Sequence, residues 1–381
     1  MAMKVMYVLG CISKQGGLER VLIDKMNYLV SMGCEVTLVT YEQGTHPFIY
    51  PLNPQVSHID TGTRFFLLYK YSYLRRYFKS KRLKRLYRRK LQEIVDVNQP
   101  DVIITVTYDL ENCDVITKLK SSAKMLIESH SAKSYTKDFT DNRNGLKLLF
   151  TNIRLKVQYT KISKFDVLVA LTQGDAKAWS GTAKKTVVIP NFITSWPTIF
   201  NNHSIVYKRI IAVGRLHRSK GFDMLIESFA MIANRCTEWY VDIFGGGDDK
   251  HILEKKIEEY GMQKRIFINP ATPDIYSEYK KSDFLVLSSR YEGFGLVLIE
   301  AMSCGLPCVA FDCTYGPSDI IVDGFNGLLV KNGDVVDMSK KILWMCNNVD
   351  KHKAMGDAAR QSSSNYRPEV IMPQWLKLLE E

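Results

Sequence analysis

The stretch that most constrains the fold is residues 283–311, DFLVLSSRYEGFGLVLIEAMSCGLPCVAF. Phe284–Leu287 is an apolar run too short for a helix, whereas Leu296–Cys304 is an apolar segment that Gly305 and Pro307 close as a helix. The order is strand, Gly-rich turn, helix and strand, which is typical of half of a doubly wound parallel sheet. The sequence therefore predicts an α/β fold.

Two glutamates in this stretch, Glu292 on the turn and Glu300 in the helix, are candidates for ligand binding. The neighbours of Glu300 at three and four positions either side give it no charged face; they are Leu296, Val297, Ser303 and Cys304. Because a buried carboxylate without a partner is costly, a ligand with hydroxyl donors would suit Glu300. Glu292 follows a strand at the end where open α/β sheets bind ligands. The structural alternative is a solvated loop acid and a helix acid that reaches water.

Residues 292–307, EGFGLVLIEAMSCGLP, resemble the paired-glutamate signature of the retaining glycosyltransferases of family 4, the glycosyl transferases group 1. The resemblance implies the GT-B architecture, in which two Rossmann-like, doubly wound domains face a cleft and a C-terminal helix crosses back to the N-terminal domain. It also implies that Glu292 contacts a hydroxyl of the donor sugar, as a catalytic residue, and that Glu300 contacts the ribose of the nucleotide. The other donor-binding residues implied by the signature are Gly293, Phe294, Gly295 and Leu296.

The length of 381 residues allows two domains of ordinary size. Residues 191–204 have no hydrophobic period and are predicted to be the linker. We therefore predict an N-terminal acceptor-binding domain over residues 1–190, with six or seven mostly parallel strands. The crossover helix over 365–381 joins that domain, and the donor-binding domain covers 205–364.

The beginning of the chain predicts a strand at Lys4–Leu9, a loop containing Gly16 and Gly17, and a helix from Leu18 to about Met32. A Gly-rich loop before a helix presents backbone N–H groups to an anion. Gly16-Gly17-Leu-Glu resembles the Gly-Gly-x-Glu loop of the family, which implies a place beside the donor phosphates and the acceptor. Ordinary turn glycines are the alternative.

A histidine follows another predicted strand, because Lys124–Ser129 ends at His130. A lone histidine is usually structural or exposed. His130 nevertheless matches the family histidine near the donor sugar, and the resemblance implies a catalytic role for it.

The predicted donor-binding domain begins with a strand at Arg209–Gly214, followed by the loop 215–221. Arg215 and Lys220 in this loop could clamp a diphosphate above a helix N-terminus. VGRLHRSKGFD, residues 213–223, closely resembles the diphosphate loop of the family, which implies that role for both side chains. Solvated loop charges are the alternative. Gly245, after the next strand, would let the backbone approach the donor.

The positive charge of the chain is concentrated in one segment. The net charge is +12, and residues 64–90 hold twelve basic side chains and no acidic one, interleaved with aromatic residues. On a helix, Leu67, Tyr71, Leu74 and Phe78 form one apolar stripe. The basic side chains that flank it and are predicted to meet a membrane or acceptor are Arg75, Arg76, Lys79, Arg82 and Arg85. This composition favours a helix lying on an anionic lipid surface, and a solvated basic face over a core helix is the alternative.

Cofactors are not expected from the sequence. The eight cysteines show neither zinc spacing nor a disulfide framework and are predicted to be small core residues of a reduced compartment. No Asp-x-Asp pair occurs that could bridge a metal to a diphosphate. No apolar run reaches membrane-spanning length, so we expect a cytoplasmic protein, peripheral on the inner face of the cytoplasmic membrane.

The function that these features imply is a retaining, metal-independent glycosyltransferase. It would move a sugar from a nucleotide-diphosphate sugar, with uridine diphosphate expected, to a glycan or polyprenyl-linked acceptor in polysaccharide or glycoconjugate biosynthesis. A sugar-nucleotide epimerase of similar fold is the alternative, and a basic nucleic-acid-binding protein is a remote one. An NAD-dependent oxidoreductase is disfavoured because no Gly-x-Gly-x-x-Gly turn is followed by an acid about 20 residues on.

Overall fold

The structure is a computed structural model, and it describes residues 2–13, 16–109, 113–130, 133, 145–201 and 203–381. The chain divides into two compact units. The first unit comprises Met1–Ile189 and Met372–Glu381, and the second comprises Pro190–Ile371.

The first unit contains a seven-stranded parallel sheet in the order β3-β2-β1-β4-β5-β6-β7. Its strands are β1 Lys4–Leu9, β2 Glu35–Thr40, β3 Ser57–Asp60, β4 Val102–Val106, β5 Lys124–Ser129, β6 Val167–Ala170 and β7 Lys185–Val188. Its helices are α1 Gly17–Ser31, α2 Tyr73–Asn98, α3 Cys113–Ile116, α4 Leu146–Ile162 and α5 Gln173–Trp179, with 3-10 turns at Phe65–Lys70 and Thr107–Asp109.

The second unit contains a six-stranded parallel sheet in the order β10-β9-β8-β11-β12-β13. Its strands are β8 Arg209–Val213, β9 Tyr240–Phe244, β10 Ile266–Asn269, β11 Phe284–Leu287, β12 Cys308–Asp312 and β13 Gly327–Lys331. Its helices are α6 Phe222–Ala230, α7 Lys250–Glu259, α8 Ile275–Lys280, α9 Leu296–Ser303, α10 Pro317–Ile320, α11 Val335–Asn347 and α12 Val349–Ser363, with 3-10 turns at Arg218–Lys220 and Ser364–Tyr366. Helix α13, Pro368–Glu380, begins in the second unit and ends in the first.

In both sheets, successive strands are added outward on one side and then, from a central pair of strands, outward on the other side. The pairs are β1 with β4 in the first unit and β8 with β11 in the second. Each sheet is therefore doubly wound, and the prediction of two Rossmann-like domains is confirmed. Loops at the carboxyl ends of such central pairs are where open α/β sheets bind ligands.

The apolar runs of the sequence form the two cores. The second unit buries one cluster around Phe229, Phe284 and Phe311, and the first buries another around Tyr87, Phe165 and Trp179. All eight cysteines are free thiols, six of them buried, as expected for small core residues. Across the described helices, none has the length and apolar content needed to cross a membrane.

The basic segment differs from the single helical stripe that the sequence predicts. Phe65–Lys70 is a 3-10 turn, Tyr71 has an extended backbone, and α2 begins only at Tyr73. Leu67 and Tyr71 therefore do not continue the stripe of α2, and this prediction was wrong. Packing supplies the reason, because the Phe65 ring lies 5.7 Å from that of Tyr87 and holds the turn against the core.

Candidate active site

The loops that follow β8 and β11 are joined to one another by hydrogen bonds to backbone carbonyls. The Arg290 amide donates to Ser219 O at 2.9 Å, and the Ser288 hydroxyl donates to Lys220 O at 3.0 Å. Gly221 sits between them with φ +63°, and a Cβ placed there would lie 1.9 Å from Ser288 O. Only glycine fits this approach, so the 215–221 loop and the loop before α9 are held as one platform.

Lys220 and Glu292, which the sequence placed on separate loops, are in direct contact. Lys220 Nζ lies 2.6 Å from Glu292 Oε1, and the Ser289 hydroxyl donates to the same oxygen at 2.6 Å. The Glu292 side chain is 9% exposed and that of Lys220 is 21% exposed. The pair therefore balances its own charge, while a lysine at the surface of the platform can still meet an anion.

Arg215, the second cation of the predicted diphosphate clamp, is exposed on the same loop. Arg290 is instead fixed by a bidentate ion pair with Asp223, at 2.7 and 2.6 Å. Arg215 and Lys220, the two predicted clamp residues, therefore lie on a loop that also exposes Arg218, while Arg290 is paired with Asp223.

Glu300 is buried in α9, as its apolar helical neighbours indicated. The Tyr279 hydroxyl, from α8, donates to Glu300 Oε2 at 3.3 Å. Burial, reinforced by the charge of Glu300, raises the pKa of Tyr279 well above its usual range, so the phenol stays a neutral donor. Tyr279 was missed in the sequence because its contact with Glu300 depends on how α8 packs against α9.

The predicted donor-binding glycines lie around this platform. A Cβ on Gly245 would lie 1.9 Å from Gly214 O, so the β9 loop can approach the β8 loop only with glycine at this position. Gly293, Phe294 and Gly295 lead directly into α9, which Leu296 begins. Phe294 is buried, and its ring lies 5.6 Å from that of Tyr366.

In the first unit, His130 follows β5 and joins a buried ionic cluster. His130 Nε2 lies 2.8 Å from Glu128 Oε2, and Lys25 Nζ lies 2.5 Å from the same oxygen. Glu128 is 0% exposed and Lys25 is 1% exposed. Burial alone would raise the pKa of Glu128, but the charge of Lys25 and the hydrogen bond with His130 outweigh it and lower the pKa.

The other predicted loop of the first unit lies at the start of α1. Gly17 is the first residue of α1, and Gly16 precedes it in an extended conformation without a side-chain cap. Lys25 lies two turns further along the same helix, so α1 links the glycine loop to the His130 cluster.

Within the described residues, one group could hold a metal ion, formed by His203, Asp283 and His352 with ligand atoms within 4.8 Å of one another. Each member already has a structural partner. His203 Nε2 lies 2.8 Å from Gly305 O, His352 Nε2 lies 3.0 Å from Met345 O, and Asp283 accepts the Arg209 amide at 3.0 Å. Asp283 also precedes β11, so this group lies at the opposite end of the strand from Glu292.

The basic side chains predicted to meet a membrane lie on α2. Arg75, Arg76, Lys79, Arg82 and Arg85 are all exposed. Large apolar side chains on the first turns of α2 are exposed with them, including Tyr73 (86%), Leu74 (70%) and Phe78 (68%). The C-terminal half of α2 instead buries Tyr87, Leu91 and Val95. The helix is therefore a core helix at one end and an uncovered amphipathic helix at the other.

Helix α4 carries a second uncovered apolar stripe, which was not predicted from the sequence. Leu149, Ile153 and Val157 are spaced four apart and are each more than half exposed. The spacing was visible in the sequence, but whether another element covers the stripe depends on the fold.

Two family models match the chain: "Glycosyltransferase Family 4" over residues 15–195 and "Glycosyl transferases group 1" over residues 199–362. The chain is 27% identical over 381 residues to an uncharacterized glycosyltransferase of Haemophilus influenzae, covering 99% of both chains. It is 26% identical over 391 residues to the amylovoran biosynthesis glycosyltransferase AmsD of Erwinia amylovora, again covering 99% of both. Among solved structures, HepE of Anabaena in complex with UDP and glucose matches with a TM-score of 0.75 and 19% identity, over 100% of both chains.

The likeness to HepE shows the fold, which is the GT-B architecture of two Rossmann-like domains. The matches to both family models cover the N-terminal and C-terminal parts of the chain in turn. The chain therefore belongs to the glycosyl transferases group 1, of the family 4 type, and is a glycosyltransferase.

Proposed function

We propose that the protein is a retaining, metal-independent transferase that moves a sugar from a nucleotide-diphosphate sugar, with uridine as the base, to a glycan acceptor. The observation that carries this proposal is the contact of Lys220 with Glu292 on the platform formed by the loops after β8 and β11. A cation for the leaving diphosphate and a carboxylate for the sugar hydroxyls stand side by side.

In the proposal, different residues bind the diphosphate, the sugar and the ribose of the donor. Lys220 and Arg215 neutralise the diphosphate, together with the N-terminus of α9. Glu292 accepts hydrogen bonds from hydroxyls of the sugar, and Glu300, held by Tyr279, accepts them from the ribose. His130 contacts the donor sugar, as the family resemblance implies.

The same arrangement supports the proposal of metal independence, because lysine and arginine would take the place of an ion at the leaving phosphate. The proposed mechanism has no protein nucleophile. The acceptor attacks on the face that the diphosphate leaves, and a leaving phosphate oxygen takes the proton of the acceptor. Transition-state stabilisation then comes from charges already in position.

The acceptor class is supported by relatives. AmsD is named for amylovoran biosynthesis, and HepE was solved with UDP and glucose. We therefore propose polysaccharide or glycoconjugate biosynthesis with a UDP-sugar donor and a glycan acceptor. The family resemblance implies that the acceptor is carried on a polyprenyl diphosphate.

The test is a panel of UDP-, GDP- and ADP-sugars, screened for thermal protection and for slow hydrolysis in EDTA. A UDP-sugar should protect and be hydrolysed, and NMR should show an α-configured product when an acceptor is supplied. Lys220→Met should reduce this protection strongly. Lys250→Met, which replaces an exposed lysine of the same unit, should leave it unchanged. An inverted product or a preference for another base would overturn the corresponding part of the proposal.

We further propose that the protein works as a peripheral protein on the cytoplasmic face of an anionic membrane, through the first half of α2. Exposed aromatic residues flanked by arginine and lysine suit the headgroup region, and each basic residue near an anionic bilayer contributes on the order of 1 kcal/mol. Lys84 of α2 and Lys161 of α4 both lie near Asp114 Oδ1, at 3.7 and 3.5 Å. The uncovered stripe of α4 therefore belongs to an element anchored at the same acid and is a second candidate for lipid contact.

Vesicle co-sedimentation tests this surface, with phosphatidylglycerol vesicles in low and high salt. Binding should be salt-sensitive and should be lost when Arg75, Arg76, Lys79, Arg82 and Arg85 become Glu. A charge-matched control changes five exposed lysines of the second unit to Glu: Lys250, Lys255, Lys340, Lys351 and Lys353. Equal loss in both variants, or no binding by the wild type, would contradict the proposal.

A further inference from the structure

A buried ion pair lies directly behind His130. Lys25 comes from α1 and Glu128 from β5, and their side chains are 2% and 0% exposed. Removing two charges from water is costly, and a buried pair often stabilises a fold less than apolar side chains of similar volume would. Stability alone therefore does not explain the buried pair of Lys25 and Glu128.

The hydrogen bonds at Glu128 determine which ring nitrogen of His130 carries the proton. Glu128 Oε2 is shared by Lys25 Nζ and His130 Nε2. Burial lowers the pKa of Lys25, whereas the adjacent carboxylate of Glu128 favours its ammonium form. An ammonium group can only donate, so Oε2 accepts from Lys25, and the charge of Lys25 lowers the pKa of Glu128 against the opposing effect of burial. His130 must then donate a hydrogen bond from Nε2 to Glu128.

Lys25 also connects three parts of the first unit. Its ammonium lies 3.7 Å from the centroid of the Trp375 ring, on α13. Trp375 is 1% exposed, so this cation–π contact is buried. One side chain on α1, the helix that follows the Gly16-Gly17 loop, thus contacts both the strand that ends at His130 and the C-terminal helix.

We propose that Glu128 is a positioning residue for sugar transfer, with Lys25 as its counter-ion. Glu128 holds the His130 ring in one orientation and one tautomer, and Lys25 keeps Glu128 ionised so that it can do so. The inference rests on the proposed role of His130 at the donor sugar.

The first test needs no substrate. In ¹⁵N-labelled protein, long-range ¹H–¹⁵N spectra of the His130 ring should show a proton on Nε2. Glu128→Gln should give a mixture of tautomers or a shifted pair of nitrogen signals, whereas Asp166→Asn should leave the ring signals unchanged. Asp166→Asn is the matched control because it removes another ion pair of the same unit, that with Lys184. A wild-type ring without a proton on Nε2 would overturn the proposal.

The second test is kinetic. Glu128→Gln should lower kcat by roughly 10- to 100-fold while KM for the UDP-sugar changes little, because misplacing a group at the reacting centre acts on turnover. In a His130→Ala background the same substitution should cost no further activity. An equal loss in both backgrounds would show that Glu128 acts on the fold alone and would overturn the proposal.

The two tests separate this inference from the proposed function. Lys25→Met, a straight apolar replacement, should reproduce the spectral change of Glu128→Gln and about the same loss of kcat. If the tautomer behaves as expected but no UDP-sugar is turned over by the wild type, the assigned donor is wrong and the positioning of His130 by Glu128 stands.

Discussion

Replacing Glu292 by Gln should make UDP bind more tightly while turnover falls. Lys220 Nζ lies 2.6 Å from Glu292 Oε1, and the carboxylate is almost buried. A hydrogen bond to a charged group contributes roughly 1.5–3 kcal/mol to stability. A diphosphate that recruits Lys220 must offset part of that interaction.

The size of the change in UDP affinity depends on how much of the Lys220–Glu292 interaction is lost when UDP binds. If Lys220 shifts only partly toward the diphosphate, removal of the carboxylate charge should make the free energy of UDP binding more favourable by about 1 kcal/mol. This corresponds to roughly fivefold tighter UDP binding. Gln retains an oxygen that can accept the Ser289 hydroxyl, so the platform should keep its shape. Lys220→Met should act in the opposite direction and weaken UDP binding by roughly 10- to 100-fold, the loss of one charge-assisted contact.

Isothermal titration calorimetry with UDP, in EDTA at one fixed salt concentration, decides between these outcomes. Glu300 is the matched control, because it lies eight positions further along the same motif and is proposed to contact the ribose. Glu300→Ala should weaken UDP binding by about 1–3 kcal/mol. If Glu292→Gln weakens UDP binding as much as Glu300→Ala does, the lysine is not held back by Glu292 and the reasoning is wrong.

Transferase activity should be unchanged in EDTA, and a loss restored by manganese or magnesium would contradict the role given to Lys220 and Arg215. Burial lowers the pKa of His352 from 6.5 to about 4. Between these two pH values the unfolded chain binds a proton that the folded chain excludes. The free energy of unfolding should therefore fall by about 3 kcal/mol as the pH drops from above 6.5 to below 4. Urea unfolding at pH 7 and 4.5 measures this fall, and His352→Gln, whose amide can still donate to Met345 O, should reduce it. Gly221→Ala should destabilise the second unit by about 2 kcal/mol or more, whereas Gly261→Ala, at φ +67° with nothing within 4 Å, should cost about 1 kcal/mol in the same unfolding assay.

The sequence by itself determined the fold class and the positions of its motifs. Strand, turn and helix alternate in the stretch 283–311 because backbone geometry imposes a period of two on strands and 3.6 on helices. Those periods are local, so helix α1 and the strand before His130 could be placed to within about a residue. The burial of Glu300 was predictable for the same reason, since its neighbours three and four positions away are read directly from the sequence.

Elements without a strong local pattern could not be predicted. Strand β3, with the polar sequence SHID, and strand β13 were not predicted. The break between Lys70 and Tyr73 was also missed, because the packing of Phe65 on Tyr87 outweighed the helical pattern of the basic segment. Whether such a segment forms a strand or a helix depends on the elements that pack against it, and the intrinsic propensity of its residues predicts this packing only weakly.

Only the tertiary structure decided which charged groups meet. Lys220 and Glu292 are 72 residues apart, and Lys25 and Glu128 are 103 apart. Tyr279 reaches Glu300 only because α8 and α9 pack together. The physical reason is that a buried charge must find its partner wherever the folded chain brings one, since leaving it unpaired away from water costs more than the fold can supply. A local pattern can show that a glutamate is buried, but the side chain that balances it is chosen by the packing of distant elements.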